Sequence, residues 1–170
     1  METEKSPGRV KVRPAKPSDA VAVHALAGEL ATVVGDEPPS EKAVRARLGD
    51  LISGENCGVL VAEVAGESGE EVAGAVSYWI KPDLAHGDSV VEIPMLAVAK
   101  GHRRGGVGKT LLAAVSDLAS EASLVELIVV PSNTGARDFY RSLGFVETDH
   151  LVLEFVGEVE DFSGVIEQTE

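Results

Sequence analysis

Arg103-Arg104-Gly105-Gly106-Val107-Gly108 follows an apolar run, Ile93 to Val98, and opens a stretch of helical periodicity. A strand that ends in a glycine-rich turn and feeds a helix leaves several N–H groups unpaired at the helix N-terminus. With the positive end of the helix dipole, these groups form an anion site suited to a pyrophosphate. Glycines at 105, 106 and 108 let the backbone approach phosphates with no Cβ in the way. The spacing therefore predicts a phosphorylated cofactor. Two further groups could move protons. Glu92 is a carboxylate inside the apolar stretch Val90-Val91-Glu92-Ile93-Pro94-Met95-Leu96, and His86 carries an imidazole that titrates near neutrality. The plain alternatives are a strand-edge acid facing solvent and an exposed loop histidine.

Periodicity outlines the elements that must position these groups. Arg9 to Arg13 alternates basic residues with Val10 and Val12, as a first strand would. Pro14 and Pro17 close it, and Ser18 or Asp19 can cap the next helix. That helix carries Val23, Leu26, Leu30 and Val33 at helical spacing. After a break from Gly35 to Pro39, Ser40 caps a second helix with Val44, Leu48, Leu51 and Ile52 on one face. Cys57 to Val64 and Val72 to Ile80 read as a hairpin about the turn Gly66 to Gly69, and Lys81 to Ser89 reads as a loop. A strand from about Val90 to Val98 is interrupted by Pro94, which predicts a bulge or a local parting of strands. The helix after the glycine turn carries Val107, Leu111, Leu112, Val115 and Leu118. A short strand, Leu124 to Val130, and a helix with Ala136, Phe139, Tyr140 and Leu143 come next, with Gly144 at the helix C-terminus. Phe145 to Val156 is expected as a last strand or hairpin. Residues 157–170 contain acids and no Lys or Arg, and are expected as a mobile or loosely docked tail after a single domain over 1–156.

A chain of 170 residues with 44% hydrophobic content is long enough to bury about two thirds of its unfolded surface in one core. No apolar run approaches the ~20 residues of a membrane helix, and the polar stretch Met1 to Pro7 has no signal-peptide core. A cytoplasmic protein without a membrane partner is expected. Net charge is −13, from 28 acidic and 15 basic residues, and no basic face is clustered for nucleic acid. The charge serves solubility or attracts cationic molecules. Cys57 is alone, and the histidines at 24, 86, 102 and 150 fall in unrelated elements, so neither a disulfide nor a metal site is expected.

Arg104 to Thr110 also looks like the variant phosphate loop of partition-type ATPases. An ordinary P-loop fails, because its first glycine would fall at Arg103. The next apolar strand ends Val129-Val130-Pro131-Ser132, without the aspartate that organises magnesium. Such ATPases also place this loop near the start of a longer chain.

A second likeness uses more of the chain. Leu96-Ala97-Val98 followed by Arg103-x-x-Gly106-x-Gly108 resembles the acetyl-CoA pyrophosphate loop of the GCN5-related N-acetyltransferase (GNAT) superfamily. Asn133-x-x-Ala136-x-x-Phe139-Tyr140-x-x-Leu143-Gly144-Phe145 resembles that superfamily's second cofactor motif. The order of elements matches as well, over roughly residues 9–156. The resemblance implies an α/β fold with a mixed, mostly antiparallel central sheet, splayed between strands 4 and 5 and flanked by about four helices.

It further implies acetyl-CoA as co-substrate, its pantetheine arm lying in the gap against Leu96, Ala97 and Val98. The Leu96 N–H would stabilise the oxyanion. Arg103, Arg104, Gly105, Gly106, Val107, Gly108 and Lys109 would hold the pyrophosphate, with Asn133, Ala136 and Tyr140 as further cofactor contacts. Tyr140 matches a tyrosine that often protonates the leaving thiolate, although it also lies on the apolar stripe of its helix. Glu92 resembles the general base of the histone acetyltransferase branch, with His86 or a water relay as the other routes for the proton. The activity implied is transfer of acetyl to a primary amine by direct attack in a ternary complex, since neither Cys57 nor any serine carries a nucleophile motif. Asp36, Glu37, Asp83 and Asp88 hint at a cationic acceptor, a small amine or a protein lysine. The remaining alternative is a non-catalytic module that holds acyl-CoA as a sensor or within a complex. No nucleic-acid partner is implied, and a homodimer is left open.

Overall fold

The computed structural model describes residues 10–154, 157–159 and 161. Arg9 of the expected first strand and most of the expected tail over 157–170 lie outside the described residues. The chain groups into two compact units, Met1–Thr134 and Gly135–Glu170.

The first unit runs β1 (Lys11–Pro14), α1 (Ala20–Val34), α2 (Glu41–Ser53), β2 (Cys57–Gly66), β3 (Gly69–Asp83), β4 (Asp88–Val98), α3 (Val107–Leu118) and β5 (Leu124–Glu126). The sheet follows chain order, β1-β2-β3-β4-β5. Its first four strands are antiparallel, and β5 joins β4 in parallel. Strands β2 to β4 are covered on both faces, which is why β2 reads as a nearly continuous apolar run. One face packs Leu60, Val76, Val91 and Ile93 against Val107, Leu111 and Val115 of α3. The other packs Val59, Val61, Ala75 and Ala97 against Val23 and Leu26 of α1 and Leu48 of α2.

The ends of α1 and α2 follow local chemistry. Ser40 Oγ accepts from Ala43 N–H at 3.2 Å and caps α2. Gly35, at φ +84°, closes α1 and lets the Gly35 and Asp36 amides return to Ala31 O. Asp19 stands at the N-cap of α1, but its buried carboxylate makes no bond to an α1 amide. It accepts from the Lys16 N–H and from both terminal nitrogens of Arg13, whose Nε donates to Glu63 at 2.7 Å. The first strand is thereby tied to α1 and β2 through one largely buried guanidinium.

Residues 81–89, expected as a loop, are mostly strand. Lys81 pairs with Val90 and Asp83 with Asp88, and the turn closes on a bond from Gly87 N–H to Asp83 O. The segment is polar because this end of the hairpin extends past β2, whose pairing stops at Trp79. Pro82 is tolerated there, where its missing N–H faces no neighbour. Two other expectations are corrected. The strand after α3 stops at Glu126, and residues 145–154 form no strand. Val146, Leu151 and Leu153 are exposed, with no ladder partner among the described residues, and the last two positions of that expected strand, 155–156, lie outside them.

In the second unit α4 (Thr134–Ser142) ends in a Schellman turn. Gly144, at φ +92°, sends its N–H to Arg141 O, and Phe145 N–H reaches Tyr140 O. Glu147 accepts from Arg137 and Arg141 beside it.

Candidate active site

The site begins with a bulge. Ser77 pairs with Met95 and Trp79 with Glu92, so Ile93 and Pro94 together oppose Tyr78. The expected irregularity at Pro94 is therefore present, and it changes the phase of β4. Val91 and Ile93 face α3 before the bulge, whereas Leu96 and Val98 face it afterwards. Met95 and Ala97 turn to the α1–α2 face.

The bulge also stands where β4 and β5 part. Their register ends at Glu92 with Glu126, and among the described residues no pairing joins the two chains beyond it. The Ala99 N–H donates to Ala73 O at 2.9 Å, and the same register sets Ala97 against Ala75 and Leu96 against Val76. Bonded and non-bonded pairs alternate along an antiparallel ladder. The amides of Ala97 and Ala99 therefore point at β3, and those of Leu96 and Val98 point at the opposite edge, into the gap. An extended ligand arm could bond there as a substitute strand.

The turn after β4 meets the requirements of an anion site. A short helical turn, Lys100–His102, precedes Arg104 at φ +64° and Gly106 at φ +80°, and α3 starts at Val107. No side chain caps α3, and its first internal bond is Thr110 N–H to Gly106 O. The amides of Val107, Gly108 and Lys109 therefore lack intrahelical acceptors. A Cβ placed on Gly106 would meet nothing within 4 Å, so the space in front of this turn is open. Arg104 and Lys109 are exposed and make no ion pair among the described residues, which leaves both charges for a phosphate.

Arg103 is used differently. Its Nε donates to Val98 O at 3.0 Å, and its Nη2 donates to Glu29 at 3.2 Å. The same Glu29 oxygen accepts from the Lys100 N–H at 3.0 Å. Arg103 thus holds the turn to β4 and α1. Glu29, which sequence reasoning missed, is its anchor, and nothing in the sequence marks a pairing across 74 residues.

Of the expected acid–base groups, Glu92 lies beside the gap, but Lys81 on β3 takes its carboxylate in an ion pair. His86 lies on the β3–β4 turn, hydrogen-bonded through Nδ1 to Asp83. That bond raises the imidazole above its ordinary pKa and lowers the Asp83 carboxyl. Asn133 belongs to the turn before α4, its N–H bonded to Val130 O. In the second unit, Ala136 and Tyr140 lie on α4. The Tyr140 ring meets Phe139 and Phe145 edge-on, at 5.1 and 5.4 Å between centroids. Burial pushes its phenol up to about 12, so it stays protonated well above neutrality. Among the described residues no three acidic, histidine or cysteine side chains cluster to hold a metal, and no helix is long and apolar enough to cross a membrane.

A sheet whose fourth and fifth strands part beside an uncapped helix N-terminus is the arrangement of the acyl-CoA N-acyltransferase fold. The sequence profile of the acetyltransferase (GNAT) family matches residues 23–145, and the chain belongs to that family. Solved structures agree on the fold. A transcriptional regulator from Bacillus halodurans C-125 is 19% identical, with a TM-score of 0.74 over 88% of this chain and 100% of the other. A possible acetyltransferase from Clostridium difficile 630 is 18% identical, with a TM-score of 0.73 over 87% and 97%. An aminoglycoside N-acetyltransferase solved with CoA is 19% identical, with a TM-score of 0.72 over 87% and 95%. No curated protein sequence matches the chain.

Proposed function

We propose that the protein transfers an acetyl group from acetyl-CoA to a primary amine, small or carried on a protein, by direct attack in a ternary complex. The observation that carries the reading is the parted edge of β4, with the Leu96 and Val98 amides aimed into the gap and ending at the Gly106 turn. A pantetheine arm needs the first and a pyrophosphate needs the second. Arg104 and Lys109 add charge, and the backbone of Gly105 to Gly108 allows close approach.

In the reaction the amine nitrogen forms a bond to the acetyl carbon and the carbon–sulfur bond breaks. The Leu96 N–H donates to the carbonyl oxygen as charge develops there. The proton lost by nitrogen goes to Glu92, directly or through water. Tyr140 supplies the proton taken by the sulfur, a role supported by a phenol that burial keeps protonated. Cytoplasmic location accompanies this reading.

The ion pair between Lys81 and Glu92 favours one rival, a module of the same fold that binds acyl-CoA without turnover. Thermal denaturation with acetyl-CoA and with ATP–Mg²⁺, followed by thiol release in the presence of amines, separates the readings. Protection by acetyl-CoA alone supports the fold's cofactor, and amine-dependent thiol release supports the enzyme. Protection by ATP alone would overturn both.

A further inference from the structure

Two carboxylates from distant parts of the chain hold the turn that precedes α3. One oxygen of Glu29, on α1, accepts from the Lys100 N–H at 3.0 Å and from Arg103 Nη2 at 3.2 Å. The same guanidinium donates through Nε to the carbonyl of Val98, the last residue of β4. From β3, Glu71 pairs with His102 Nε2 at 2.9 Å. Residues 100–103 are thus tied to α1, to the end of β4 and to β3.

The backbone that follows needs such support. Arg103 has φ −66°, Arg104 φ +64° and Gly106 φ +80°. Among the described residues Arg104 is the one residue other than glycine at positive φ, a conformation that persists only where its surroundings enforce it. A change in the sign of φ between successive residues turns neighbouring N–H groups toward one concavity, the form of a backbone anion nest. The turn does not hold this form through those amides. The N–H groups of Arg103, Arg104, Gly105 and Gly106 make no hydrogen bond among the described residues. Its entry is anchored by side chains instead, Arg103 and His102, each bonded to a remote glutamate.

We propose that Glu29 is a positioning residue for cofactor binding. Through Arg103 and the Lys100 amide it fixes the shape in which the 104–106 backbone meets a pyrophosphate, with the Glu71–His102 pair as a second brace. The inference rests on the acetyl-CoA reading above and names what shapes its anion site. Charge and geometry here act with opposite sign. A carboxylate near a diphosphate repels it, so on charge alone the loss of Glu29 tightens binding. As a brace, its loss weakens binding. Length and charge separate as well: Gln keeps the reach and an acceptor oxygen, whereas Asp keeps the charge and falls one methylene short.

The test is calorimetric titration of the purified full chain with CoA and with pantetheine, which lacks the pyrophosphate. Glu29→Ala and Glu29→Asp should each raise the Kd for CoA about fivefold to tenfold, the scale of one hydrogen bond. Glu29→Gln should stay within about threefold of the wild type, and pantetheine affinity should hold within about twofold in all three. Adding Glu29→Ala to Arg103→Ala should weaken CoA binding little further, because the two residues act as a unit. Glu71→Ala should raise the Kd about twofold to threefold, as suits a more exposed pair. Unchanged or tighter CoA binding in Glu29→Ala overturns the proposal, whether or not Tm falls. Loss in Glu29→Gln with retention in Glu29→Asp overturns it too, since charge would then be the cause. Equal losses for CoA and pantetheine also overturn it. In each of these cases CoA binding by the wild type leaves the cofactor reading standing. If the wild type binds neither ligand, that reading falls together with the proposal.

Discussion

Gly106→Ala offers the sharpest perturbation of the anion turn. Gly106 sits at φ +80°, ψ −2°, where an L residue pays about 1–2 kcal/mol. In a domain of this size that strain lowers Tm by roughly 2–8 °C. The added methyl itself clashes with nothing, because beyond Gly106 and its two chain neighbours no atom lies within 4 Å of its position. Any further effect must therefore come from what approaches the turn from outside. If a pyrophosphate rests on the Val107 to Lys109 amides, the methyl stands in its path, and the Kd for CoA should rise at least tenfold, about 1.4 kcal/mol. Calorimetric titration with CoA and with pantetheine, which lacks the pyrophosphate, separates the effects. CoA should lose affinity and pantetheine should not. A variant with lowered Tm but unchanged CoA affinity would refute the placement, and equal losses for both ligands would mean that the mutation had disturbed the gap in β4 instead.

Asp19→Asn should flatten the acid limb of stability. Arg13 holds the Asp19 and Glu63 carboxyls below their ordinary pKa values, so this stabilisation is complete above about pH 4.5 and is lost as pH falls through the lowered values. Urea unfolding from pH 7 to 3 should show the wild type losing stability more steeply than the variant, and parallel curves would contradict the assignment. Tyr140→Phe should lower kcat by about 10²–10⁴-fold with CoA affinity unchanged, and a kcat within twofold would leave Tyr140 a packing residue. Glu92→Gln should be partly rescued as pH rises, since the neutral fraction of an amine grows about tenfold per unit below its pKa near 10. A pH–rate profile of unchanged shape would remove Glu92 as the base.

What the sequence disclosed was chemistry confined to a few neighbouring residues. Pro94 announced a break because proline lacks a donor, and the bulge at Ile93–Pro94 is its consequence. Gly144 announced the left-handed end of α4 because glycine adopts that backbone cheaply, whereas Gly106, read for close approach to phosphate, proves also to need it. Periodicity likewise placed α1, α2 and α3 against the sheet. The remaining features depend on partners far along the chain. Glu29 with Arg103 and Asp19 with Arg13 and Glu63 carry no local signature. The hairpin over 83–88 read as a loop because polar residues at an overhanging strand end look the same as polar residues in a loop.

Strand parity in β4 shows the same limit most plainly. Proximity in number gave weight to Asp83 and Asp88, yet side-chain direction is set by strand parity, and parity in β4 is reversed at the bulge. Counting straight through from Val91 would put Met95 and Ala97 on the α3 face. The extra residue turns them instead toward α1 and α2, and Met95 comes to lie opposite Ser77 while the Leu96 amide points to the gap. Deleting one of Ile93 or Pro94 would leave Met95 three positions after Val91 and still opposite Ser77, so the deletion should remove the bulge without turning the Leu96 amide away from the gap.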